Sequence, residues 1–245
     1  MKTHLIALLG LIISCSANAA GQHLNYDVNG KSYQGYYISQ ASDAPLVLLI
    51  HDWDGLTDYE ITRANMLADM GYSVFAADLF GTGIRPTKMQ DKRQHTGELY
   101  KDRTKMRNLL TSALNIAKAQ GANTSNTVVM GYCFGGAAVL EMARSGAKVK
   151  GFATFHGGLS TPKDQNYSQT EGKLLIMHGS ADTAITMSSF AALATELESN
   201  KIDHEMITYS GAPHAFTVFN SDRYREDADK KSWQRFTDFL SEVTQ

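Results

Sequence analysis

Three residues far apart in the chain have the types needed for nucleophilic chemistry: Cys133, Asp182 and His214. Cys133 lies in Gly131-Tyr132-Cys133-Phe134-Gly135-Gly136, after the apolar run Val128-Val129-Met130 and before Ala137, Ala138, Val139 and Leu140. That pattern predicts a buried strand, a tight turn and a closely packed helix. Gly-x-Cys-x-Gly places a thiol where the Gly-x-Ser-x-Gly turn carries a hydroxyl. A side chain on such a turn is held in strained backbone geometry, and the residues two positions away must be small to avoid the adjoining strand and helix. A helix N-terminus also favours a thiolate and, during reaction, an oxyanion. In isolation the motif fits a buried structural cysteine equally well.

The other two residues change that balance. His178-Gly179-Ser180-Ala181-Asp182 follows the apolar run 174–177, and Gly211-Ala212-Pro213-His214-Ala215-Phe216 follows a strand ending at Tyr209. The chain order is therefore nucleophile, acid, histidine, each on a loop after its own strand. His214 is placed to take the thiol proton and Asp182 to fix the imidazole tautomer. Alone, Asp182 could be a helix cap and His214 a turn histidine. Together, and in this order, they point to a triad. His178 and His156 are expected beneath these loops, in supporting positions.

The elements that must position these groups alternate. The turn signal Asn29-Gly30 lies between β-rich runs across 26–38. Residues 46–50 read as a strand covered on both faces, and 72–77 as the next strand. Thr57-Asp58-Tyr59-Glu60 has the capping-box pattern and opens a helix to about Met70. A long helical stretch, 89–119, holds Gly97, where it divides if it is two helices. Strands are expected at 127–130, 149–155, 173–177 and 203–209, and helices at 186–198 and 222–243. Trp233, Phe236, Phe239 and Leu240 on the last helix form a core stripe. The result is an α/β fold with a mostly parallel central sheet and helices on both faces, whose functional loops lie at the carboxyl ends of the strands.

The chain has 245 residues, 43% of them hydrophobic, and a net charge of −2, which suits one globular domain over 20–245 and gives no case for nucleic acid. Lys2, the apolar core 5–13 and Ala17-Asn18-Ala19 read as a signal peptide over 1–19, implying export, to the periplasm in a bacterium. Ile12-Ile13-Ser14-Cys15 also resembles a lipobox, the alternative being a lipid anchor at Cys15. No transmembrane segment is expected after cleavage, which would leave Cys133 as the sole cysteine and rule out an intramolecular disulfide. A lone exported thiol is better explained by chemistry than by packing.

A dinucleotide loop would need glycine at position 133, and His51-Asp52-Trp53-Asp54 is too local to ligate a metal ion, so neither cofactor nor metal is expected. The rival readings are a non-catalytic binder on a hydrolase scaffold and a thiol redox sensor.

The three motifs, with Ala76-Ala77-Asp78-Leu79-Phe80-Gly81 and the segment 48–56, resemble the dienelactone hydrolase family of the α/β-hydrolase fold, over about 22–243. The resemblance implies a hydrolase of esters or lactones acting through an acyl-thioester on a small-molecule substrate; a monomer or weak homo-oligomer is expected. It implies that Asp52 contacts the resting cysteine, in place of the family's usual glutamate, and that the backbone N–H groups of Trp53 and Phe134 form an oxyanion hole. Of the two arginines that hold the substrate carboxylate in dienelactone-cleaving members, Arg85 matches one. Thr217-Val218 stands where the other belongs, a departure that weakens the match to dienelactones. The loop 80–94 with Trp53, Phe155 and Phe216 is expected to shape the pocket.

Overall fold

The computed structural model describes residues 20–245. The signal peptide over 1–19 and the lipobox cysteine Cys15 lie outside the described residues. Eight strands form one sheet: β1 (Gln22–Val28), β2 (Lys31–Ile38), β3 (Pro45–Ile50), β4 (Ser73–Ala77), β5 (Asn123–Tyr132), β6 (Gly151–Phe155), β7 (Lys173–Gly179) and β8 (His204–Tyr209). Their spatial order is β1-β2-β4-β3-β5-β6-β7-β8. The pairs β1–β2 and β2–β4 are antiparallel, and every other pair is parallel. Asn29 and Gly30 both have positive φ, 51° and 78°, as the type I′ turn between β1 and β2 requires.

Six helices cover the sheet: α1 (Asp58–Asp69), α2 (Met89–Lys101), α3 (Arg103–Ala119), α4 (Phe134–Arg144), α5 (Met187–Ser199) and α6 (Glu226–Thr244). The side chains of β3 alternate between two cores. Leu46, Leu48 and Ile50 join Leu109, Leu140 and Leu193 of α3, α4 and α5. Val47 and Leu49 join Leu67, Phe236 and Leu240 of α1 and α6. A strand buried on both faces must be apolar throughout, and Leu46 to Ile50 are all fully buried. Among the described residues no helix is long and apolar enough to cross a membrane.

Two helix boundaries depart from the sequence expectation. Gly97 lies inside α2; the long helical stretch breaks instead at Asp102, whose φ of −113° and ψ of 81° are not helical and whose side chain caps α3 by accepting from the Lys105 N–H at 2.8 Å. An aspartate that satisfies a free amide makes a new helix start favourable, whereas a solvent-side glycine only weakens a helix. The last helix begins at Glu226 rather than at Asp222. Residues 221–225 form a separate turn, with the Arg225 N–H bonded to the Phe216 carbonyl at 3.0 Å.

Candidate active site

The turn after β5 has the strain its glycines foretell. Cys133 has φ 51° and ψ −110°, and α4 starts at the next residue. A Cβ on Gly135 would stand 2.3 Å from the Ile50 carbonyl oxygen and 2.5 Å from that of His51, so only glycine lets α4 approach β3 this closely. A Cβ on Gly131 would meet the Gly135 backbone at 2.4 Å. These contacts are with backbone, which cannot step aside.

The structure brings the three sequence-predicted side chains together. His214 Nε2 is 3.1 Å from Cys133 Sγ, and His214 Nδ1 is 2.7 Å from Asp182 Oδ2. The other oxygen of Asp182 accepts the Ala184 and Ile185 N–H groups, each at 2.8 Å. Burial opposes a charge on Asp182, but the His214 bond and these two amides outweigh it and hold the carboxyl below its ordinary pKa. An ionised Asp182 can only accept, so His214 Nδ1–H is the donor and Nε2 is left as the acceptor facing the thiol.

Burial pushes the Cys133 pKa up strongly, the Asp52 charge adds to this, and the Phe134 backbone N–H only partly offsets both. The helix N-terminus alone led to the opposite expectation, a favoured thiolate. Desolvation wins because it acts on the whole ion, whereas the helix end supplies a partial charge.

Asp52 is nearly buried close to the sulfur, whose pKa its ionised form raises, and its own Oδ1 accepts the Asp54 N–H at 3.0 Å. Burial, the hydrogen bond shared with Asp54 and the charge of Glu60 raise its pKa well above the carboxylate range. Asp54 is burdened by burial too, but the proton offered by Asp52 and the ammonium of Lys92, 3.2 Å away, bring its pKa down. Within the pair a proton is held more readily at Asp52 than at Asp54. The capping-box glutamate, Glu60, braces the same loop: it accepts the Thr57 N–H at 2.8 Å and the Asp52 N–H at 3.3 Å.

A buried polar chain backs the catalytic-type histidine. Thr217 Oγ1 lies 2.8 Å from His156 Nε2 and 2.7 Å from Tyr59 Oη, and the Thr217 carbonyl accepts from Arg63 Nη2 at 3.0 Å. The His156 ring packs edge-on to that of His214 at 5.3 Å. Arg63 is itself paired with Asp229 and lies over the rings of Phe219 and Trp233 at 4.3 and 4.8 Å. His178 lies beneath the Asp182 loop, with Nε2 2.9 Å from the Ile185 carbonyl.

A cavity of about 240 Å³ opens over the sulfur, lined by Trp53, Tyr100, Cys133, Phe134, Gly158, Ala184, Ile185, His214 and Arg223. Of the residues expected to shape it, Trp53 does. Phe155 and Phe216 are fully buried and pack with Tyr132 and His156 beneath the site. The loop 80–94 contributes no lining residue. Arg85 is not brought to the cavity: its Nε donates to the Leu56 carbonyl, its Nη1 donates to the Ile84 carbonyl at 2.8 Å, and Nη1 sits 3.6 Å from Asp78 Oδ1. Burying the Asp78 carboxylate demands a cation, and that demand turns Arg85 inward. Among the lining residues missed from the sequence are Tyr100, on α2, and Arg223, in the turn before α6. No spacing marks either one.

A profile of the dienelactone hydrolase family matches residues 34–244. A protein of Salmonella typhimurium that carries the name of a presumed carboxymethylenebutenolidase is 23% identical over 226 residues, covering 87% of this chain and 84% of its own. A dienelactone hydrolase-like promiscuous phosphotriesterase from metagenomic libraries superimposes with a TM-score of 0.85 at 26% identity, over 94% of this chain and 100% of that one. A structure named m3DLH does so with a TM-score of 0.87 at 28% identity, over the same shares.

Proposed function

Because the chain belongs to the dienelactone hydrolase family of α/β hydrolases, we propose that it cleaves carboxylic esters or lactones through a Cys133–His214–Asp182 triad. The observation that carries the reading is the pair of contacts at His214, 3.1 Å to the sulfur and 2.7 Å to the carboxylate. In the reaction Cys133 Sγ attacks the carbonyl carbon as its proton passes to His214 Nε2. The carbonyl oxygen becomes an oxyanion held by the Trp53 and Phe134 N–H groups. Collapse expels the alkoxide, which takes the proton from His214, and leaves an acyl-thioester on Cys133. Water then gives a proton to His214 as it attacks the thioester, and the thiolate leaves and is reprotonated.

A neutral resting thiol suits this sequence, since the proton moves only when a carbonyl is in place. It also suits a compartment in which an exposed thiolate would oxidise. We take residues 1–19 as a signal peptide and 20–245 as one domain, with Asp52 placed close to the resting sulfur. The mass of the mature N-terminus tests export: a free Ala20 supports it, and a lipidated Cys15 gives the anchored form. The triad is tested by 4-nitrophenyl acetate hydrolysis. Cys133→Ala is expected to abolish turnover with an unchanged melting temperature. Full activity in that variant excludes the thiol mechanism.

A further inference from the structure

We propose that the cavity over Cys133 continues into a second lobe that takes the far end of an extended ester and selects for a negative charge there; this rests on the ester-hydrolase reading above. A space of about 290 Å³ adjoins the first and shares Tyr100, Gly158 and Ile185 with it. Its remaining lining residues are Arg103, Ala137 and Ser160. The two lobes therefore meet at a waist between the Tyr100 ring and the Gly158 backbone. A Cβ added at Gly158 would stand 3.2 Å from the Ala137 Cβ and 3.5 Å from Tyr100 Oη, so the absence of a side chain keeps the waist open.

The charge at the far end is not balanced. Arg103, Arg107 and Arg144 converge on the single buried carboxylate of Glu141, at 3.3, 2.7 and 3.0 Å. One carboxylate neutralises one of three guanidiniums. Asp164, which lines the adjoining surface beside Arg103 and Arg107, is ion-paired with neither. Arg144 spends its donors on Gln165 at 2.7 Å, Tyr167 at 2.8 Å and Glu141. Arg103 alone of the three reaches the second lobe. Its Nε donates to the Tyr100 carbonyl at 2.9 Å and its guanidinium lies 4.8 Å over the Tyr100 ring, which fixes the group in place. Its Nη2 has no hydrogen-bond partner among the described residues. A held guanidinium with an open donor and excess positive charge around it favours a carboxylate or another oxyanion. The Ser160 hydroxyl lines the same lobe and can add a neutral donor.

The substrate class is thus an ester with an anionic group several bonds from the scissile carbonyl. The test uses 4-nitrophenyl half-esters of dicarboxylic acids from succinate to suberate, each paired with the neutral 4-nitrophenyl alkanoate of the same length. In the wild-type protein the ratio of kcat/KM, anionic over neutral, is expected to rise with length to about tenfold, as one charge-assisted hydrogen bond allows. Arg103→Gln is expected to collapse that ratio through KM, and Arg103→Lys to restore most of it. Gly158→Ala is expected to lower the ratio of long-chain to acetate ester turnover by narrowing the waist. A flat ratio in the wild-type protein overturns the proposal, as does a ratio that survives Arg103→Gln and is lost in Arg223→Gln. Hydrolysis of the acetate ester separates the two ideas. If it proceeds while the ratio is flat, only the second lobe fails; if no ester is cleaved by wild-type protein, the hydrolase reading fails as well.

Discussion

The two walls of the cavity are built on different principles. One wall is backbone: the turn at Cys133, the loops ending at Asp182 and His214, and glycines whose replacement would drive a Cβ into a carbonyl oxygen at 2.3 Å. The other wall is side chain: Tyr100 and Arg103 at the α2–α3 junction, and Arg223 before α6. The backbone wall has one solution, because the strand tips and close helix contacts leave no freedom. The side-chain wall can change residue by residue without disturbing the sheet. On the proposed reading, reaction type is set by the first wall and substrate choice by the second, so substitutions on the two walls should fail in different ways.

The sharpest break comes from Asp182. Asp182→Asn presents an amide where the Nδ1–H needs an acceptor, and the wrong tautomer then faces the thiol. Turnover is expected to fall by about 10⁴-fold, the size seen for the equivalent change in a serine triad, with folding retained. A fall below tenfold in steady-state assays removes Asp182 from the role of orienting acid.

Gly135→Ala comes next. The clash is with the backbone of Ile50 and His51, so relief requires α4 to move off β3. A stability loss of about 1–3 kcal/mol is expected in denaturant unfolding, together with loss of esterase activity as the sulfur moves. A stable, active Gly135→Ala protein would show that the backbone wall is softer than argued.

The buried chain behind His214 should give a smaller and more selective effect. Thr217→Val keeps the shape but removes the hydroxyl shared by His156 and Tyr59. We expect kcat to drop about tenfold, one hydrogen bond's worth, with KM little changed, and Thr217→Ser to recover most of it. Equal loss in the Ser and Val variants would mean that packing, not the hydroxyl, matters there. Arg85→Gln should do least, with kcat/KM within about twofold, because Arg85 clamps the 78–85 loop and does not line the cavity. A large KM effect would return it to the substrate site.

The pH dependence of alkylation probes the sulfur directly. Its pKa is raised in the folded protein, so the thiolate is scarce at neutral pH and its fraction grows as pH rises. Iodoacetamide labelling of Cys133 should therefore be slow at pH 7 and still increasing above pH 9. A rate already flat between pH 6 and 8 would indicate a resting thiolate–imidazolium pair instead.

The two walls also differed in how far the sequence disclosed them. Gly-x-Cys-x-Gly, the acid loop and the histidine loop could be recognised because backbone geometry restricts which residues stand there. The sheet followed from apolar runs such as 46–50, which only a doubly covered strand explains. Tyr100, Arg103 and Arg223 left no such trace, since a solvent-side helix or turn position accepts many residues. Arg85 misled for a related reason: the family resemblance matches it to a substrate-binding arginine, but the buried charge of Asp78 decides where it turns. The break at Asp102 was hidden because a cap competes with helix continuation by a margin of about 1 kcal/mol, too small for pattern to reveal.

The central claim is that Cys133 carries the acyl group. Rapid mixing with 4-nitrophenyl acetate, with intact-mass sampling, measures this most directly. The account predicts a burst of nitrophenolate close to one equivalent per protein, with a transient acetyl adduct on Cys133 that His214→Gln fails to form. Linear release with no adduct, at a rate that Cys133→Ala matches, would contradict it.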